Sequence, residues 1–84
     1  MEKREIIKSI VSQFRPELYV KGIKCGFKTN DDGSKTLIVQ YTLDNGTNPP
    51  SNNQILSWTR ELAYKIRSAT SIPISFTQTT VEYK

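Results

Sequence analysis

The side chains that do most enzyme chemistry are scarce in this sequence. The 84 residues include no His, one Cys and one Met. The chain alone therefore cannot form a His or Cys metal cage, or a Ser–His or Cys–His nucleophile pair. From this composition we expect no catalytic residue, no cofactor and no metal, and we predict that the protein is not an enzyme.

The remaining reactive groups have structural explanations. Cys25 alternates along the chain with Lys24 and Lys28, so in a strand the two lysines lie on the opposite face from the thiol and do not activate it. This favours a buried, unreactive cysteine. Asp31 and Asp32 are the only adjacent carboxylates, and they lie in a turn cluster without the spacing of a calcium loop, which indicates a solvated turn.

The net charge and the chain length further narrow the class of protein. Twelve Lys and Arg against eight Asp and Glu give a net charge of +4, which permits an anionic partner without requiring one. Charged residues at positions 2 to 5 and at Lys8 interrupt any apolar stretch near the amino end, so we expect no signal peptide or membrane span, and a cytoplasmic location. Residues 1–84 are short enough to predict a single domain.

Hydrophobic periodicity predicts five elements. Residues 2–14 and a segment that begins after Ser51 and ends near 68–71 have helical spacing. Residues 18–28, 36–43 and 72–83 read as strands; in the first, Leu18 and Val20 have the opposite parity to Ile23, and a bulge or bend near Lys21–Gly22 would reconcile the two halves. An Asp-Gly pair joins the first two strands as a hairpin. The prediction is an α+β two-layer sandwich of αββαβ order, with two helices on one face of a three-stranded mixed sheet.

The second helix offers the first candidate binding surface. If Ile55, Leu62 and Ile66 face the core, Tyr64 lies diametrically opposite, with Arg60 and Arg67 on neighbouring turns. Tyr and Arg are enriched in protein-binding hot spots. The leading hypothesis is thus a small module that binds a protein partner, or a second copy of itself, through Arg60, Tyr64 and Arg67. An ordinary solvated helix surface, with Glu61 and Lys65 paired, is an equally good interpretation.

The third strand offers an alternative route to the same function. No Lys, Glu or Pro occurs between Ile74 and Val81, so at a sheet edge this strand would lack the residues that usually prevent strand addition. A homodimer or a bound peptide would then form by strand pairing. Ile74 and Phe76 share a phase that points them inward, whereas Val81 and Tyr83 are out of phase, which indicates a bulge or an exposed end.

The alternative function is nucleic-acid binding. The phosphate contacts would come from a basic set comprising Arg15, Lys21, Lys24, Lys28 and Lys35. The outer sheet face would present Lys24 and Lys28, with Ser75 and Thr77 on the third strand. Alternation points Phe27, Tyr41 and Phe76 inward, so the face would have no aromatic ring for base stacking, and this weighs against the alternative.

Overall fold

The computed structural model describes residues 2–84 and contains the five predicted elements in the predicted order. They are α1 (Lys3–Gln13), β1 (Val20–Thr29), β2 (Lys35–Leu43), α2 (Asn52–Thr70) and β3 (Ile74–Tyr83). Both helices pack against one face of a three-stranded sheet. The predicted α+β class and the αββαβ order are therefore confirmed.

The β1–β2 hairpin forms where the Asp-Gly pair predicted it. Gly33 has a φ of 88°, a left-handed conformation that a residue with a side chain adopts only with strain. Its amide donates to the carbonyl of Asn30 at 3.0 Å, and the Asn30 amide donates to the carbonyl of Ser34 at 2.8 Å. The turn thereby closes the antiparallel pair that runs from Thr29 opposite Lys35 to Val20 opposite Leu43.

The sheet order is β1-β2-β3, with β3 parallel to β2. A parallel neighbour requires a long connection that crosses the sheet, and α2 supplies it. Ser51 begins this helix by accepting a hydrogen bond from the Gln54 amide at 3.1 Å, and Ser71 ends it in a left-handed conformation with a φ of 61°. The central strand is β2, so β1 and β3 are the two edges.

The core lies between α2 and the helix-facing side of β2. Within residues 2–84 ten apolar residues are buried, and they come mainly from these two elements: Val20, Leu37, Val39, Tyr41, Leu43, Trp58, Leu62, Ala63, Ile66 and Ile74. The Trp58 ring meets Tyr41 edge-on, with ring centroids 5.6 Å apart, and it also contacts Tyr19 at 6.2 Å. Aromatic packing of this kind stabilises beyond the area it buries.

Helix α1 packs less deeply than α2. It ends at Gln13, one residue earlier than the pattern predicts, and none of its residues is fully buried. Its apolar arc instead lies half-buried against the core, through Ile7, Ile10 and Val11, with Phe14 just beyond the helix. The helix therefore covers the β1 side of the sheet loosely.

The segment that enters β1 confirms one expectation and corrects another. The register between β1 and β2 shifts between Val20 and Gly22, which is the predicted bulge. Leu18, however, lies in a turn before the strand and is 90% exposed. It is not part of the strand, because β1 begins only at Val20.

The rotation of α2 generates the first prediction. Trp58 is 6% exposed and Tyr64 is 66% exposed, so we expect Trp58→Ala to lower the free energy of unfolding by about 3–5 kcal/mol and Tyr64→Ala by less than about 0.5 kcal/mol. Chemical denaturation followed by circular dichroism measures both. Trp58→Phe, with its smaller truncation, should lie between them; a large loss in Tyr64→Ala would contradict the helix rotation.

Candidate functional site

The Arg60–Tyr64–Arg67 stripe lies on the solvent side of α2, as predicted. All three side chains are exposed, because Trp58, Leu62 and the rest of the apolar ridge occupy the sheet side. The predicted pairing of Glu61 with Lys65 is absent: among residues 2–84 the ion pairs are Lys21–Asp44 and Lys84–Glu82.

The stripe borders β3, so the two predicted binding surfaces are one. A groove of about 490 Å³ runs between the helix and the strand. We call it the α2–β3 groove; its lining residues are Arg60, Ala63, Tyr64, Arg67, Ile74, Ser75, Phe76 and Thr77. Arg67 spans it, because its Nη1 donates to the Ile74 carbonyl at 3.3 Å. None of the lining residues is acidic.

Strand β3 leaves backbone hydrogen-bonding groups at an open edge. The Lys84 amide donates to the Leu43 carbonyl at 2.9 Å, and the parallel register is unbroken back to Phe76 opposite Thr36. Every second residue of such a strand bonds to the same neighbour. The N–H and C=O groups of Thr77, Thr79 and Val81 therefore face away from β2, beside the groove.

The inward orientation predicted for Phe76 is wrong. Ile74 lies opposite Lys35, but Phe76 lies opposite Thr36, so Ser75 is an extra residue in β3. This bulge reverses the alternation: Phe76 turns to the outer sheet face and is 63% exposed, whereas Thr77 turns to the helix side. The phase break at Val81 and Tyr83 was the signal in the sequence, and a bulge is its explanation.

The outer sheet face therefore has one aromatic ring as well as its lysines. Lys28, Thr36 and Phe76 form one row across the three strands, and Lys24 lies two residues before Gly26 on the same face of β1. A Cβ atom added at Gly22 or Gly26 would meet no atom within 4 Å. A side chain at either position would therefore meet no steric clash, and the absence of side chains there leaves the β1 side of the face flat.

The five predicted phosphate contacts do not form one cluster. Arg15 and Lys21 line a cleft between α1 and β1. Lys24 borders the same cleft, but its side chain, like that of Lys28, lies on the outer sheet face. Lys35 instead donates to the Thr29 hydroxyl at 2.6 Å. Lys21 pairs with Asp44 at 3.1 Å. Lys24 and Lys28 are thus the two that share a surface with Phe76.

The remaining reactive groups fit structural roles. Asp32 accepts hydrogen bonds from the Ser34 hydroxyl at 2.6 Å and amide at 2.9 Å. These bonds lower the pKa of the exposed Asp32 carboxyl and hold it in the turn. Cys25 is half-buried rather than buried, and burial raises the pKa of its thiol to about 11.

Neither similarity to known proteins nor the described residues indicate a ligand. The chain matches no protein-family model, and no curated protein matches it significantly. In residues 2–84, no three His, Cys, Asp or Glu side chains come together as metal ligands. No helix in the same range is long and apolar enough to cross a membrane.

The raised thiol pKa predicts how Cys25 reacts with iodoacetamide. Because alkylation requires the thiolate and the pKa is about 11 in the folded chain, the rate should be low near pH 8 and rise about tenfold per pH unit up to about pH 10. Mass spectrometry of timed samples measures it. The urea-unfolded chain is the control, and its rate should level off above about pH 9. Equal rates in the two states would contradict the burial of the thiol.

Proposed function

We propose that this protein is a non-enzymatic binding module that accepts an extended segment of a protein partner at the edge of β3. The observation that carries this proposal is the position of the open edge directly beside the α2–β3 groove. An added strand would bond to the exposed backbone groups of Thr77, Thr79 and Val81. Its side chains on the helix side would then lie near Arg60 and Tyr64.

Charge favours an acidic partner over a second copy. The groove is lined by Arg60 and Arg67 and by no carboxylate, and the chain has a net charge of +4. Pairing two β3 edges would bring two such arginine-bearing faces together, which costs free energy. A partner strand with Asp or Glu at alternate positions would instead bring carboxylates to guanidinium groups that bind them with two hydrogen bonds.

A matched pair of proline variants tests the edge. Proline at Thr79 removes an amide that faces the open side, whereas proline at Thr80 removes one that bonds to β2. We expect Thr79→Pro to stay folded and Thr80→Pro to be clearly less stable. Peptides selected from a random linear display library should be acidic, and their affinity should fall at least tenfold in Thr79→Pro and in Arg60→Glu, as measured by fluorescence anisotropy.

The control for charge is Lys28→Glu, which makes the same change in net charge on the outer sheet face and should leave peptide affinity within about twofold. Selected peptides that bind Thr79→Pro as well as they bind the parent chain would contradict the proposal. Sedimentation velocity adds a second check, and we expect a monomer over the whole concentration series. A dimer that forms in the parent chain but not in Thr79→Pro would show that a second copy, rather than an acidic partner, binds the β3 edge.

Single-stranded nucleic acid on the outer sheet face is the second candidate, and the exposed Phe76 supports it. One ring beside Lys24 and Lys28 resembles, in chemistry, the stacking and phosphate contacts of single-strand binders. Gln78 on the same face is exposed and available for a base edge, whereas the Gln40 amide already donates to the Glu82 carboxylate at 2.9 Å. The face has a single ring and few cations, so we expect weak binding.

The oligonucleotide test uses a fluorescent single-stranded oligo-dT at two salt concentrations. If the face binds it, affinity should fall steeply with salt, Phe76→Ala should weaken it by about fivefold or more, and Lys28→Gln should reduce the salt slope by about one. Lys65→Gln, on α2, is the matched control. No anisotropy change at low salt would eliminate this candidate and leave the peptide proposal unaffected.

A further inference from the structure

The cleft between α1 and β1 combines an apolar floor with a cationic rim. It has a volume of about 700 Å³, within the range of small-molecule sites. We call it the α1–β1 cleft. Its floor consists of half-buried apolar side chains from both sides, namely Ile7, Val11, Phe14, Ile23 and Cys25. Its rim consists of the basic side chains Arg4, Lys8, Arg15 and Lys21; Lys24 also borders the cleft, but its side chain lies on the outer sheet face.

The charge of the rim is unbalanced. None of the residues that line the cleft is acidic. Lys21 has a partner in Asp44, but the other three rim cations, Arg4, Lys8 and Arg15, form no ion pair within residues 2–84. Like charges arranged around a cleft raise the local positive potential, and an anion that enters lowers it.

The apolar floor of the cleft favours a ligand that also has an apolar part. No residue of α1 is fully buried, so Ile7, Val11 and their neighbours keep apolar surface in contact with water at the bottom of the cleft. An apolar chain laid along the floor would remove that surface from water, which is favourable in proportion to its area. A phosphate or a sugar would contact the polar groups of the rim but would leave the apolar surface of the floor exposed to water.

We propose that the α1–β1 cleft binds an amphipathic carboxylate of the fatty-acid class, with its chain on the apolar floor and its carboxylate among the rim cations. Arg4 at the start of α1 and Arg15 just beyond its end lie at opposite ends of the cleft, and the guanidinium group of either one is suited to hold a carboxylate with two hydrogen bonds. The site is separate from the α2–β3 groove, because the two share no lining residue.

Titration of the protein with monomeric dodecanoate, followed by ¹H–¹⁵N NMR, tests the proposal. We expect saturable shifts centred on Val11, Ile23 and Cys25, with affinity that rises up to about fourfold per methylene from octanoate to dodecanoate. Dodecyltrimethylammonium, with the same chain and the opposite charge, should bind at least tenfold more weakly. Equal affinity for the two head groups, or shifts centred elsewhere, would overturn the proposal.

Variants separate the rim from the rest of the surface. Lys8→Gln should weaken dodecanoate binding roughly threefold, and Lys8→Gln with Arg15→Gln roughly tenfold or more. These positions are exposed, so folding should be unaffected, which circular dichroism checks. Lys65→Gln is the matched control on α2 and should leave affinity unchanged. Loss of affinity in the control equal to that in the rim variants would overturn the proposal.

Cys25 supplies a readout at the floor. Bound dodecanoate should slow its alkylation by iodoacetamide at about pH 9 by at least fivefold, and octanoate should protect less. If the cleft resonances instead move with protein concentration alone, a second copy is the occupant. If the protein binds anionic phosphatidylglycerol vesicles but not monomeric dodecanoate, the rim cations bind a lipid surface instead of a single fatty acid. Either result would overturn the proposal.

Discussion

The contact between Tyr41 on β2 and the Trp58–Thr59 pair on α2 determines how the rest of the molecule is arranged. The Thr59 hydroxyl donates to the Ile55 carbonyl at 3.0 Å, so the Tyr41 hydroxyl, 2.7 Å from it, must be the donor in their shared bond. Burial raises the pKa of Tyr41 to about 12, which keeps the phenol protonated and able to donate. This bond and the edge-on ring contact with Trp58 fix α2 in rotation as well as in position, because a polar group buried without its partner is costly.

Both proposed binding surfaces follow from that rotation and from the sheet order. With Thr59 and Trp58 held on β2, Tyr64 and its flanking arginines face outward over β3. The helix thus covers β2 fully and stops short of the β3 edge. On the other side, α1 covers β1 without burying any residue completely. A thin sheet with two helices therefore has one partly covered flank at each edge, and each flank is bordered by basic side chains.

The sequence was sufficient for the elements whose pattern depends on local chemistry. The cap at Ser51, the Asp32–Gly33 turn and the apolar ridge of α2 each depend on neighbouring residues alone, and the rotation of Tyr64 follows from the ridge. The orientation of Phe76 could not be predicted in the same way. It depends on a single extra residue, Ser75, whose position is set by the register against β2. One extra residue exchanges the two faces of a strand, so a correct strand assignment still gave the wrong face.

Sequence alternation also missed Arg4 and Lys8 as members of a cleft. Their position beside β1 depends on tertiary structure, because the two walls of the α1–β1 cleft come from segments that only packing brings together. Nor did the sequence reveal that the helix stripe and the β3 edge are adjacent, because that depends on which strand lies at the edge. Strand order follows from long-range pairing, for which local patterns carry little information.

Under the proposed function, the arginines of α2, rather than residues of β3 itself, would disfavour unspecific pairing at the β3 edge. Natural edge strands usually carry Lys or Pro that disfavour addition of another strand, and β3 has neither between Ile74 and Val81. The arginines of α2 lie beside it instead. Two copies that approach edge to edge would have to bring these guanidinium groups together, whereas an acidic strand would neutralise them. Under the proposed function, the same charges would both disfavour pairing with a second copy and favour an acidic partner, and this requires that Arg60 and Arg67 project over the groove. The Tyr41–Thr59 bond, by holding the rotation of α2, is what keeps them there.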